Sequence, residues 1–466
     1  MSTGNHKLSF WEKAGYGFGD LASVLFWQTI TAYLLFFYTD VYGLAAAAAG
    51  TMIAISRVLD ALFDVGIGMT ADRTKTRWGK FRPYLLWMAV PLAVAAVLAF
   101  STPDFGDTGK LVYAYVTFIL FMFLYSAINI PYSSLLGVIT SDPTERTSAA
   151  SFKFIGAYLA GFIVSATALP FAKYFGNGND AKGWQMTMII YGIAAVLFFL
   201  ITFFSTRERI QPIAKEKTSI RNDLKDLKNN MPWIMLFIIT LLLILFVCIR
   251  ISVTTHYFKY YIGEQTFTFL GKSYTLGFEW LASAFNAIGQ GMAILGVILV
   301  PWFARITGKK RAVIILFITA LVCTGAYYFL KPADLFLIFS LQMIGSLTGG
   351  PISTLLWSMY ADTADYSEWK TGRRATGLVY SASIMSSKIG WAIGAIIAGF
   401  LLAVYGFKAN VVQNMEVQNG LKAMMSVIPF AVGLISLIIL FFYKLDEPTM
   451  KKIKEDLETR RTQAAP

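Results

Sequence analysis

Twelve apolar runs recur along the 466-residue chain, each reaching the roughly 20 residues that a helix needs to cross a 30 Å hydrocarbon core. They fall at about 15–41, 44–70, 83–102, 110–140, 147–174, 184–205, 231–262, 278–304, 311–330, 334–360, 374–405 and 421–443. In lipid every backbone N–H and C=O must be paired internally, which leaves helices or closed barrels, and runs of this length predict helices. Only 14% of residues are charged, against about a quarter in soluble proteins. The chain therefore reads as an all-α polytopic membrane protein whose domains are helix bundles. Residues 1–13 are polar, with no apolar core or cleavage site. They are not a signal peptide, and the first apolar run acts as its own uncleaved signal.

An even number of spans puts both termini on one side, and Lys and Arg choose the side. Twenty-eight of the 40 basic residues lie on the side of the termini and eight on the other. Both termini are thus predicted to be cytoplasmic, in the cell inner (plasma) membrane. The net charge of +13 is explained by topology, and no nucleic-acid partner is needed. Cys248 and Cys323 both lie in apolar runs, so they are expected as small buried side chains and not as a disulfide. The charged loop 206–230 divides the runs six and six. The expected organisation is an N-terminal bundle (1–205), a cytoplasmic central loop (206–230), a C-terminal bundle (231–443) and a cytoplasmic tail (444–466). The basic turn Gly79-Lys80-Phe81-Arg82 after the second run is echoed by Gly308-Lys309-Lys310-Arg311 after the eighth. Two halves that each begin in the cytoplasm form a parallel repeat, and such an architecture places a site near the midplane between halves.

Topology leaves seven charges at bilayer depth: Arg57, Lys153, Arg250, Lys388, Asp20, Asp60 and Asp64. Each costs at least about 2.5–3.5 kcal/mol there. Arg57, Asp60 and Asp64 are spaced i, i+3, i+7, which projects them from one helix face. Two carboxylates a turn apart cannot both stay ionised without compensation by a proton, a sodium ion or Arg57. That poise suits Asp60 and Asp64 to cation coupling, against the alternative of a permanent ion pair. Asp20 follows Gly15, Gly17 and Gly19; small residues admit a ligand or a close helix, and its carboxylate can accept from hydroxyl groups. Asn129, Tyr132, Ser133 and Ser134 surround Pro131 mid-helix, where a freed carbonyl is tolerated beside a cavity or a kink serves packing alone. Lys388 follows a run of serines, and Lys153 either donates inward or snorkels to the surface. Tyr125, Tyr132, Trp357 and Trp391 are aromatic residues in polar-rich runs that could stack on a pyranose. No P-loop is present, and the two histidines, His6 and His256, form no metal-spaced cluster, so neither ATP hydrolysis nor metal or nucleophilic catalysis has evident machinery. The chain is read as a non-enzyme needing no cofactor, energised by an ion gradient.

Several stretches together resemble the glycoside–pentoside–hexuronide:cation symporter family of the major facilitator superfamily, which contains the melibiose carrier. They are Gly17-Phe18-Gly19-Asp20, Tyr38-Thr39-Asp40-Val41, Arg57 through Asp64, Arg77-Trp78-Gly79-Lys80-Phe81-Arg82-Pro83, Asn129-Ile130-Pro131-Tyr132, Ala361 through Gly372, and Lys388. The resemblance implies twelve transmembrane helices in two pseudo-symmetric six-helix bundles that work by alternating access. It implies a cation site at Asp60 and Asp64, with Arg57 and Lys388 near it and Ser126 able to lend an oxygen; these would be metal ligands if the coupling ion is sodium. It implies a sugar site lined by Asp20, Asn129, Lys153 and Trp357, to which Tyr125 and Ser133 are added as candidates from the polar-rich runs in which they stand. The melibiose carrier has an aspartate where Asn129 stands, a tryptophan at Ser133, a lysine at Gly19 and, as a sodium ligand, an asparagine at Phe63. The lost oxygen at Phe63 favours protons over sodium ions, and Asn129 looks more like the glucuronide and pentoside branches. The expected function is import of a glycoside, pentoside or hexuronide with a cation by a monomer in the lipid bilayer. The alternatives are a lysolipid transporter on the same fold and a sugar receptor that does not transport.

Overall fold

The computed structural model describes residues 7–140, 143–209, 229–269, 272–371 and 376–464. Helix α1 (Phe10–Phe36) starts at Ser9, whose hydroxyl accepts the Glu12 N–H at 3.2 Å, and its end widens into a π turn at Phe37–Val41. Then come α2 (Ala46–Arg73), α3 (Arg82–Ala99), α4 (Gly106–Ile139), α5 (Pro143–Gly176) and α6 (Asp180–Ser205). In the second half, α7 (Met231–Tyr257) also ends in a π turn, Phe258–Ile262. It is followed by α8 (Phe278–Thr307), α9 (Lys309–Ala326), α10 (Leu335–Thr371) and α11 (Thr376–Val404). Eleven helices among the described residues are long and apolar enough to cross a membrane. α2 is not counted among them. Its 28 residues nevertheless reach about 42 Å at 1.5 Å per residue.

The structure corrects or extends the sequence reading in four places. The tenth run does not stop at 360, since α10 carries Asp362, Asp365 and Glu368 on to Thr371. The last run breaks at Ser426 into α12 (Met415–Met425) and α13 (Val427–Phe441). The tail is helical, as α14 (Glu447–Ala464). The connection after α7 holds an antiparallel hairpin, β1 (Gln265–Phe269) with β2 (Lys272–Leu276), pairing Gln265 with Leu276; the fold is otherwise all-α. The predicted central loop falls mostly on residues 210–228, outside the described residues.

The chain divides into two compact units. The first comprises Met1–Ala214, Thr254–Ala287 and Ala395–Val417. Within it α1 packs on α5 and α6, α3 on α4 and α6, and α2 on α4. The second comprises Lys215–Val253, Ile288–Gly394 and Gln418–Pro466. Its core joins Trp233 and Phe246 of α7, Phe317 and Leu321 of α9, Met359 and Tyr360 of α10, and Leu440 of α13. α9 packs on α10 and α13, and α14 docks through buried Met450, Ile453 and Leu457, one stripe at i, i+3, i+7. Cys248 and Cys323 are buried thiols.

Each unit repeats one device at a helix N-terminus. In the first, the Glu208 carboxylate accepts from the backbone N–H groups of Lys80 (2.8 Å), Phe81 (2.7 Å) and Arg82 (2.9 Å), where α3 begins. These are donors that a helix cannot satisfy itself, at its positive end. Gly79 has φ +111°, and a Cβ there would run into the Glu208 carboxyl. In the second, Glu447 accepts from the Lys309 N–H at 3.2 Å where α9 begins, beside Gly308 at φ +81°. Lys309 adds an ion pair to Asp362 of α10 at 2.7 Å. The echo of the two glycine-basic turns in the sequence thus corresponds to the same capping arrangement.

Candidate functional site

The three charges of α2 lie on one side of a helix that packs on α4, and Arg57 and Asp60 are buried. The Ser126 hydroxyl on α4 donates to Asp60 Oδ1 at 2.6 Å, a charge-assisted geometry for an ionised carboxylate. One residue earlier, Tyr125 stacks on Trp27 of α1 with centroids 5.5 Å apart and rings 23° from parallel. The Arg57 guanidinium sits over the other part of this stack, 4.0 Å from the Trp27 ring centroid. A planar cation on an indole face is the strongest form of that contact. α1, α2 and α4 therefore hold carboxylate, hydroxyl, guanidinium and aromatic faces in one place. Asp64 lies a turn farther along and is half-buried. Phe63 packs edge-to-face on Phe123 at 5.3 Å, so a ring stands where the melibiose carrier has an asparagine.

A second group lies on α1, α4 and α5. Lys153 Nζ is 3.8 Å from Asp20 Oδ1 and 5.5 Å from the Tyr132 ring centroid. Lys153 thus turns inward to a carboxylate and an aromatic face instead of snorkelling. Tyr132 stacks on Tyr16 at 4.8 Å, and its hydroxyl donates to the Tyr16 carbonyl at 2.8 Å. The Tyr132 ring fills the space beside Gly19, where any Cβ would collide with it. That is a physical reason for glycine at a position where the melibiose carrier has lysine. Asn129 is half-buried and donates to the Tyr125 carbonyl at 3.3 Å; Ser133, one turn along, is exposed.

These nine predicted residues all lie in the first unit. Trp357 and Lys388 lie in the second, on α10 and α11. The Trp357 ring is 5.8 Å from that of Tyr360 and 37% exposed, and Lys388 is half-buried. Arg250, which no sequence motif surrounds, donates to Thr324 at 3.4 Å and lies 5.3 Å from the Tyr327 ring, tying α7 to α9.

Sequence reasoning missed two features. Trp27 stands in no motif that marks it, and only the fold brings it under Arg57. Asp40 stands in the Tyr38-Thr39-Asp40-Val41 stretch at the very end of the first apolar run, where its sequence position does not mark it as a buried charge. It is buried at the end of α1 with His256, Lys259 and Tyr260 as partners.

A model of the family described as MFS/sugar transport protein matches residues 15–447. The isoprimeverose transporter of Lactiplantibacillus pentosus is 36% identical over 97% of this chain and 92% of its own. The glucuronide carrier protein homolog of Escherichia coli (strain K12) is 32% identical over 98% of this chain and 97% of its own. Among solved structures, a bacterial homolog to the human lysosomal transporter Spinster, in an inward-facing and unoccupied conformation, superposes with a TM-score of 0.71. It shares 14% identity, with 97% of this chain and 99% of that one covered, and shows the fold. Membrane-spanning helices, charges gathered on α2 and full-length similarity converge: the chain belongs to the MFS/sugar transport protein family, whose members are membrane transporters.

Proposed function

We propose that this protein is a secondary active symporter that imports a glycoside, pentoside or hexuronide together with a cation. The observation that carries the reading is the 2.6 Å bond from Ser126 to Asp60, under an Arg57 already stacked on Trp27. A buried carboxylate with a hydroxyl and a nearby guanidinium can exchange a cation or proton without leaving its helix. The names of the curated relatives, which include a sugar transporter and a glucuronide carrier, support the substrate class. In this reading Asp60, Asp64 and Ser126 bind the coupling ion, and Arg57 sets the charge balance. Asp20, Tyr125, Asn129, Ser133 and Lys153 receive hydroxyl groups and the apolar sugar face. Trp357 and Lys388 are assigned by their place in polar-rich runs and by the family resemblance. Phe63 packed on Phe123 favours a proton over sodium, because Na⁺ would lack an oxygen ligand there.

Transport would follow alternating access of two six-helix bundles, 1–205 and 231–443, with α2 as the twelfth span. Both termini would be cytoplasmic, as the excess of basic residues on that side supports. The protein would act as a monomer.

Uptake into right-side-out vesicles, with pH and sodium varied independently, tests the reading. Asp60→Asn is expected to abolish accumulation against a gradient while leaving exchange of substrate down its gradient. Unchanged accumulation would remove Asp60 from coupling. Competition between a panel of small glycosides and a lysolipid separates the sugar reading from the amphiphile one.

A further inference from the structure

Beyond the candidate site, a dense polar cluster in the first unit lies where α1 and α7 end. Both helices widen there into π turns, Phe37–Val41 and Phe258–Ile262. Such turns are rare and recur at functional positions. The Asp40 side chain is fully buried. Its Oδ1 accepts from Lys259 Nζ at 2.9 Å and from the Tyr260 hydroxyl. Its Oδ2 accepts from the Thr39 hydroxyl at 2.7 Å and lies 3.3 Å from His256 Nε2. Asn410, in the connection after α11, closes the group from a third side. Its amide donates to the Asp40 carbonyl at 2.7 Å, its oxygen accepts from Lys259 Nζ at 2.7 Å, and its N–H donates to the Tyr260 hydroxyl at 2.8 Å. Asn410 takes φ +58°, a left-handed conformation that costs a residue with a side chain. Phe36 and Phe407 face His256 edge-on at 5.4 and 5.2 Å, and the His256 side chain is fully buried.

The cluster joins residues 217 to 370 positions apart, from the first half of the chain and from the second. It is located at the end of α1 distant from the N-terminus, where basic residues are few. Burying an acid and an ammonium together gains little net stability, because desolvation offsets their attraction. Separation returns both to water, while imperfect closure strands each charge. Such a pair closes sharply and opens readily, as a bistable element needs.

We propose that Asp40, with Lys259, His256, Tyr260 and Asn410, is an outer latch that pins the π turns of α1 and α7 and must part and re-form in every transport cycle. This rests on the transport reading above. A sugar entering from outside would pass only after Asp40 and Lys259 separate. The residues position the gate and need not touch substrate.

Two measurements test the latch in protein carrying Cys248→Ala and Cys323→Ala. In the first, Asp40→Cys and Asn410→Cys are bridged by a short bis-thiosulfonate reagent. Uptake should fall about tenfold or more on bridging and recover with reductant, as expected when a required state is locked out. In the second, Lys259→Gln or Tyr260→Phe weakens the latch without removing the carboxylate. Each should raise the rate at which an impermeant maleimide labels Ser133→Cys from outside, by about threefold or more. Full uptake by the bridged protein, or unchanged labelling in both weakened variants, overturns the proposal. Absence of uptake by the unbridged and wild-type proteins would instead defeat the transport reading, and the labelling experiment would still decide the latch.

Discussion

The Ser126 hydroxyl is the smallest group on which the coupling argument depends. A hydrogen bond to a charged acceptor contributes about 1.5–3 kcal/mol, and Ser126→Ala removes it from Asp60. The ion concentration for half-maximal uptake is expected to shift by about ten- to a hundredfold, downward for a proton, because the lost bond favoured the ionised carboxylate, and upward for sodium, which loses an oxygen ligand. Phe63 gives the complementary experiment. Its ring packs on Phe123, so Phe63→Asn loses an aromatic contact of about 0.5–1.5 kcal/mol and gains an amide oxygen on the helix of Asp60 and Asp64. Sodium should then stimulate uptake where it did not before. Sodium-independent uptake in that variant would show that the missing ligand is not what sets ion choice. Gly19 is fixed for another reason: the Tyr132 ring occupies the place of a side chain. Gly19→Lys should therefore displace Tyr132 from Tyr16 and weaken substrate binding by disturbing Asp20.

Among the elements, helix ends decide more than helix interiors. Glu208 closes three N–H groups at the start of α3 from a point 126 to 128 residues away in sequence. Glu208→Ala should cost about 1.5–3 kcal/mol and lower the Tm of the purified protein, and Gly79→Ala should do the same through its positive φ. α14 depends on Asp446, whose Oδ1 accepts from the Thr449 hydroxyl at 2.6 Å and its N–H at 3.1 Å. Those bonds, the hydroxyl first, hold the Asp446 carboxyl below the usual carboxylate range. A depressed acid stabilises the folded state above its ordinary pKa of 3.8, and that contribution is lost as pH falls through the lowered value. Asp446→Ala should loosen α14 at neutral pH by about 0.5–2 kcal/mol, seen as faster proteolysis of the tail. The sequence carried this helix in Met450, Ile453 and Leu457 at i, i+3, i+7, a short stripe in a charged stretch that reads equally as a solvated tail.

For the whole molecule, the distribution of basic residues makes a prediction that the helices alone do not. Single cysteines placed in the tail after Lys444 should resist an impermeant thiol reagent in intact cells, and cysteines at 408–412 should react. The opposite pattern would invert the topology. The twelve runs were legible because a bilayer demands long apolar helices, and that demand is written locally, residue after residue. Their ends were less legible: α10 runs eleven residues past its apolar stretch to Thr371, since helix continues through polar residues once it leaves lipid. Asp60, Asp64, Arg57 and Lys153 stood out because charge at depth is costly anywhere and must have a reason. Family membership and membrane-helix class thus follow from composition, spacing and motif. Only the tertiary structure put Trp27 beneath Arg57, turned Lys153 toward Asp20 and gathered His256, Lys259 and Asn410 around Asp40. Those contacts join positions tens to hundreds of residues apart, and no local pattern records which distant side chain will supply the counter-charge.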